Sequence, residues 1–239
     1  MTGQGQPSAG SMESLYPFLY SGTTDLQTVL DQVRQSTVAK AQEIDELRRV
    51  VGEQDGARLM SCASQAAARF AAGGRLLAFG NGGSATDAQQ VATLFLNPGG
   101  DARPLPALGL ASDTSVVTAL GNDIGVDVIF ARQIAALGRR TDIAVGLSTS
   151  GNSENLMRAF DEASRRGMLT IGLAGYEGGR MAELDGIDYL FVAPSSSVHR
   201  IQEAQTTVYH VLWELTQLAL ARLDAASTAT PPTGREAGR

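Results

Sequence analysis

The chain has 239 residues, 43% of them hydrophobic and 18% charged, with a net charge of −6, one cysteine and two histidines. This balance suits one domain of up to roughly 200 residues with a substantial core, and it argues against direct binding to nucleic acid or an anionic membrane, which rewards a basic surface. Cys62 alone excludes an internal disulfide and a multi-thiolate metal cage, and without a leader pattern or an apolar run near about 20 residues the expected location is the cytoplasm.

Residues 1–12 lack apolar periodicity and read as a disordered tail, as do residues 225–239; a single domain is expected over 13–224. From 24 to 51 apolar residues recur at helical spacing (Leu26, Val29, Leu30, Val33, Ile44, Leu47, Val51), and a second amphipathic segment follows from Leu59 to Phe70. Strand-like runs then stand near 75–80, 106–110, 142–147, 168–174 and 187–192. Helical patterns at 84–96, 113–120, 125–137 and 153–166 separate most of them, and a long apolar helix closes the domain at 198–223. Such alternation predicts an α/β fold with a mainly parallel sheet covered on both faces.

Two small-residue turns, each after an apolar strand and before a helix, carry the chemistry. They are Gly80-Asn81-Gly82-Gly83-Ser84 and Ser148-Thr149-Ser150-Gly151-Asn152-Ser153. The second places four hydroxyls within six residues around a glycine, a density suited to three phosphoryl oxygens. Free backbone N–H groups at a helix N-terminus would add to it. Ser153 with Glu154 and Asn155 also fits an ordinary helix cap. Asp87, near the first turn of its helix, reads as a complement to the dipole. Neither turn is a dinucleotide fingerprint or a P-loop. Two such turns at sheet C-termini would flank one crevice.

These turns, with Gly175-Tyr176-Glu177-Gly178-Gly179-Arg180-Met181 and Arg200-Ile201-Gln202-Glu203, resemble the SIS (sugar isomerase) domain of phosphoheptose isomerases over about residues 25–222. The resemblance implies a five-stranded parallel sheet flanked by helices, with extra N-terminal and long C-terminal helices, and a homotetramer. It also implies a pocket at a subunit interface for sedoheptulose 7-phosphate or a similar sugar phosphate. Ser84, Ser148, Thr149, Ser150 and Ser153 would hold the phosphate, with Asn81, Asp123 and Gln202 facing the sugar.

At the catalytic positions the chain departs from the family pattern. The family has a histidine and, four residues on, a glutamate on the helix after the first turn, where this chain has Gln90 and Leu94. The last-helix glutamine and histidine are retained as Gln202 and His210, so His210 is the candidate catalytic residue. Leucine can neither carry a proton nor bind a cation, so Gln90, Leu94, Gln202 and His210 do not make the zinc set of metal-binding members. No cofactor is expected. Three readings stay open. The first is an isomerase with a substitute base such as His199 or Glu203. The second is a non-catalytic phosphosugar sensor or adaptor with a protein partner, similar to the replication-initiator-associating SIS protein. The third is a structural tetramer with empty loops.

Overall fold

The computed structural model describes residues 26–229, so the N-terminal tail and residues 230–239 of the C-terminal one lie outside the described residues. The chain divides into two compact units, Met1–Asp45 and Glu46–Arg239. The sheet, both small-residue turns and the covering helices, the first of them from Glu46 onward, belong to the second.

In chain order the elements are α1 (Leu26–Ala71), β1 (Leu76–Gly80), α2 (Gly83–Leu96), β2 (Ala107–Gly109), α3 (Thr114–Asp123), a 3-10 turn (Val126–Val128), α4 (Ile129–Leu137), β3 (Ile143–Ser148), α5 (Glu154–Arg165), β4 (Leu169–Gly175), a second 3-10 turn (Gly179–Glu183), β5 (Tyr189–Ala193) and α6 (Val198–Ala229). The five strands form one parallel sheet in the order β2-β1-β3-β4-β5. Every residue of β1, β3 and β4 is buried, which is why these strands read as unbroken apolar runs: both faces are covered.

Against one face pack Val51, Leu59, Cys62 and Phe70 of α1, Val91 and Phe95 of α2, and Val208, Tyr209 and Leu212 of α6. Against the other pack Phe130 and Ile134 of α4 and Leu156, Ala159 and Phe160 of α5. Phe79 meets Phe130 and Phe160 at ring-centroid distances of 5.6 and 5.2 Å. Gly146 makes room for them, since a Cβ there would lie 2.5 Å from the Phe160 ring.

Two boundaries differ from the sequence reading. The segments read as separate helices at 24–51 and 59–70 form one helix through Gly52 and Gly56. Glycine costs a helix about 1 kcal/mol per residue; burial of Val51 and Leu59 offsets this, together with the Arg49–Glu53 and Arg58–Asp55 ion pairs at 2.6 Å. At the other end, α6 continues to Ala229, five residues into the stretch read as a tail. No helix among the described residues is long and apolar enough to cross a membrane.

Candidate active site

The strand order reverses direction between β1 and β3: the chain leaves β1 toward β2 at one edge and leaves β3 toward β4 and β5 at the other. Loops after two such strands splay apart and leave a crevice at the strand C-termini. Both small-residue turns sit there.

Local sterics shape the first turn. A Cβ on Gly80 would lie 2.5 Å from the Ser84 carbonyl oxygen and 2.9 Å from that of Leu147, and Gly82 adopts the left-handed φ of 54°. Glycine meets both demands at no steric cost. Asn81 then reaches across the crevice mouth to Asn155 in the first turn of α5. Asn81 Nδ2 donates to Asn155 Oδ1 at 2.8 Å, and Asn155 Nδ2 donates back to Asn81 Oδ1 at 2.9 Å. The two turns are thereby tied to each other.

In the second turn Ser148 Oγ accepts from the Gly151 N–H at 3.1 Å and lies 3.4 Å from Ser153 Oγ, while Ser150 Oγ accepts from the Asn152 N–H at 3.3 Å. Ser84 and Ser148 are buried; Thr149, Ser150 and Ser153 are half-buried. Ser153 occupies the N-cap position of α5, yet its side chain caps nothing. α2 also begins without a side-chain cap, on Gly82. By contrast α3 is capped in the ordinary way, by Asp113 Oδ1 accepting from the Ser115 and Val116 N–H groups at 3.0 and 3.1 Å. Two uncapped helix N-termini and a cluster of hydroxyls therefore face one crevice, the arrangement that receives an anion.

The segment after β4 buttresses this turn. Gly151, at φ 66°, lies so close to Gly178 that a Cβ would fall 1.9 Å from the Gly178 oxygen. The Met181 N–H donates to the Gly151 carbonyl at 2.9 Å, the Arg180 N–H to Asn152 Oδ1 at 3.0 Å, and the Arg180 guanidinium to Glu154 at 3.0 Å. Hydrogen bonds from Arg158 and Arg180 hold the Glu154 carboxyl below its ordinary range.

A SIS-domain family model matches residues 41–175. The phosphoheptose isomerase of Nitratidesulfovibrio vulgaris (strain Miyazaki F) is 42% identical over 187 residues, 78% of this chain and 89% of the relative. The chain belongs to the phosphoheptose isomerase family of SIS-domain proteins. The enzyme of that name from Aquifex aeolicus is 47% identical over 146 residues, 61% of this chain and 75% of the relative. A solved phosphoheptose isomerase from Francisella tularensis superposes with a TM-score of 0.70 at 31% identity, covering 80% of this chain and 98% of that one.

The positions that the resemblance marks as catalytic, 90, 94, 202 and 210, lie on α2 and α6, which pack together on one face of the sheet. Gln202 Nε2 donates to Asp87 Oδ2 at 2.8 Å and would lie 2.8 Å from a Cβ on Gly83. Both helices run back over the same face of a parallel sheet, hence in one direction. Leu94 is seven residues beyond Asp87 and His210 eight beyond Gln202, advances of about 10.5 and 12 Å. Leu94 and His210 are therefore at matching heights, one turn past Gln90 and two past Gln202. Leu94 is part-buried against the apolar cluster that includes Tyr209 and Leu212. His210 is exposed, its ring stacked on Tyr209 at 4.9 Å, and Nδ1 lies 2.8 Å from the Thr206 carbonyl. A carbonyl only accepts, so Nδ1 carries the proton and Nε2 is the basic nitrogen.

Asp123 ends α3, exposed, with Oδ1 accepting from Asn122 at 2.9 Å. His199 is exposed, and Glu203 is paired with Arg200. The sequence reading missed two residues. Asn155 looked like part of a cap, although an amide after a hydroxyl-rich turn signals a cross-loop partner. Asp87 looked like a dipole complement, but it is the carboxylate that Gln202 holds. Burial lifts its pKa above the ordinary value, and the Gln202 hydrogen bond opposes the lift.

Proposed function

We propose that this protein isomerises a ketose phosphate of the sedoheptulose 7-phosphate class to its aldose phosphate. One observation carries the phosphate half of the reading. Ser153 stands at a helix N-cap without capping it, leaving its hydroxyl beside that of Ser148 for a ligand. Ser84, Ser148, Thr149, Ser150 and Ser153 hold the phosphate, and Asn81, Asp123 and Gln202 face the sugar. Membership of the phosphoheptose isomerase family supports the substrate class.

The isomerisation moves one proton between neighbouring carbons through an enediol. A base removes a proton from the carbon beside the carbonyl, the carbonyl oxygen gains a proton, and the reverse transfers at the exchanged positions release the aldose. His210, with Nδ1–H fixed on the Thr206 carbonyl, presents Nε2 as that base. Asp87 is the second group on the α2–α6 face that exchanges protons, its carboxylate held in place by Gln202.

Zinc has no role in this scheme because the residues do not fit it. Leu94 offers no donor and packs into the core, and Gln202 already donates its amide to Asp87. We also infer a homotetramer in the cytoplasm, with the crevice completed by a second subunit. Leu94 favours a second reading, in which the crevice binds sugar phosphate without turnover and signals to a protein partner.

The test is NMR in deuterated water with sedoheptulose 7-phosphate, read beside ligand-induced melting shifts. Deuterium at the carbon next to the carbonyl with aldose product, both lost in His210→Ala, is expected. A melting shift lost in Ser153→Ala without any exchange establishes the sensor instead, and no shift with no exchange sinks both readings.

A further inference from the structure

On the far side of the β3 turn from α2, a second cavity of about 730 Å³ opens at the C-terminal ends of β3, β4 and β5, lined by Ser150, Asn152, Tyr176, Glu177, Ser195 and Ser196. It shares Ser150 with the residues assigned to the phosphate, and the strand order places the rest of its lining away from β1. The crevice lies between the β1 and β3 loops, whereas this cavity lies between the β3 loop and those after β4 and β5. Ile201, fully buried, packs on the end of β4: a Cβ on Gly175 would fall 2.4 Å from Ile201 Cδ1 and 2.5 Å from the Thr149 carbonyl oxygen. The next residue, Gln202, reaches to Asp87 and Gly83 on the β1 side.

The lining is wrong for a phosphate. Like the residues assigned to the phosphate it includes no lysine or arginine, and what sets it apart is Glu177, which repels an anion. The Arg180 guanidinium, on the neighbouring segment, is paired with Glu154. What the lining does offer is three serine hydroxyls, one amide and one carboxylate around an aromatic ring, with Pro194 as a further apolar surface. Hydroxyl, amide and carboxylate groups bond the hydroxyls of a polyol, and an aromatic face covers its C–H surface.

Tyr176 adds an independent observation. It is the only non-glycine residue with positive φ among the described residues, at 52°, and its side chain is exposed. An L side chain pays conformational energy there that glycine avoids, and such strain gathers at ligand sites. Glycines stand at 175, 178 and 179, yet the strained position carries an aromatic ring turned to the cavity mouth.

We propose that this cavity is a second ligand site, for an uncharged pyranose, adjoining the sugar-phosphate crevice at Ser150. It does not depend on catalysis at His210 or on a phosphate at Ser153. The test is saturation-transfer NMR on the full chain with the methyl glycosides of glucose, mannose and galactose, and with inorganic phosphate as the probe of the other site.

At least one glycoside is expected to receive saturation at its ring protons. In Tyr176→Gly, affinity for it falls about tenfold while the melting temperature holds or rises, because glycine relieves the positive φ. Glu177→Gln, which keeps the shape, weakens the same glycoside severalfold. Ser153→Ala leaves glycoside binding unchanged and loses phosphate. Three results overturn the proposal: no transfer to any of the three glycosides, unchanged binding in both Tyr176→Gly and Glu177→Gln, or loss of glycoside binding in Ser153→Ala.

Discussion

Asn81 and Asn155, 74 residues apart in the chain, hold each other by two amide hydrogen bonds of 2.8 and 2.9 Å. Each amide offers one donor and one acceptor to the other, so the loop after β1 and the first turn of α5 have one mutual position. A crevice formed by two independent loops would change width with each; the amide pair fixes the spacing between the Ser84 and Ser148 sides. Asn155 is buried, so removing Asn81 strands its amide away from water. Asn81→Ala and Asn155→Ala are each expected to cost about 1–3 kcal/mol of stability. The double variant should cost clearly less than the sum of the two, because residues in direct contact couple. Chemical denaturation of the four proteins measures this; strict additivity would show that the pair does not act as a unit.

The next prediction separates ligand-binding hydroxyls from structural ones. Ser153 makes no cap hydrogen bond, whereas Asp113 makes two. Asp113→Ala should therefore cost about 1 kcal/mol, the ordinary loss of a cap. Ser153→Ala should stay within about 0.5 kcal/mol, as expected where no such feature is lost. With sedoheptulose 7-phosphate present the order reverses, and Ser153→Ala loses the melting shift that Asp113→Ala keeps. Thermal unfolding with and without ligand decides it, and a destabilised Ser153→Ala without ligand would make the residue structural.

Much of this was legible in the sequence for definite reasons. β1, β3 and β4 announce themselves as unbroken apolar runs because both faces of an interior parallel strand are dry. The two turns are visible because backbone that approaches this closely requires glycine, as at Gly80 and Gly151. What stayed hidden depends on long-range pairing. No local pattern tells that Asn81 faces Asn155, that Asp87 receives Gln202, or that Tyr176 adopts a positive φ. Helix continuity through Gly52 and Gly56 was hidden for the opposite reason: local propensity there is poor, and burial of Val51 and Leu59 overrides it.

Gly151 combines a φ of 66° with a neighbouring carbonyl oxygen 1.9 Å from where a Cβ would stand. Backbone, not a movable side chain, is the obstacle, so the turn itself must shift. Gly151→Ala should lose sugar-phosphate binding and destabilise the protein by more than the roughly 1 kcal/mol centre of point-substitution effects. Gly82→Ala is the control: its φ is also positive, at 54°, but nothing lies within 4 Å. That variant should pay only the conformational cost of a sparsely populated φ/ψ, about 1–3 kcal/mol. Equal losses in the two variants would show that the clash at Gly151 is relieved at no cost.

Asp87 gives a pH signature with a definite sign. Burial raises its folded-state pKa above 3.8, the opposing Gln202 hydrogen bond notwithstanding. The native protein then binds more protons than the unfolded chain between those two pKa values, and stability falls as pH rises through that window. Its contribution is present at lower pH and lost once the carboxyl ionises. Asp87→Asn keeps an acceptor for the Gln202 amide and removes the titration, so stability at neutral pH should rise slightly and that part of the pH dependence should vanish. Turnover should fall, because the amide cannot exchange the proton; an unchanged rate would remove Asp87 from the reaction.

The matched heights of Leu94 and His210 allow the chain's departure from its family to be reversed. In Gln90→His/Leu94→Glu, an imidazole and a carboxylate one helical turn apart on α2 would join His210, which stands on α6 at the height of position 94. The donor set then contains two imidazoles and a carboxylate, which bind zinc, where the present set contains only one imidazole. Leu94→Glu alone should destabilise the protein, since it puts a charge where a leucine now packs against the core. In the double variant zinc should offset that loss, raising the melting temperature with zinc concentration as ligand linkage requires. The natural chain, assayed alongside, should show no such rise. A zinc-dependent shift of equal size in both would mean that the metal binds elsewhere, and no shift in either would mean that positions 90, 94 and 210 do not converge on one metal.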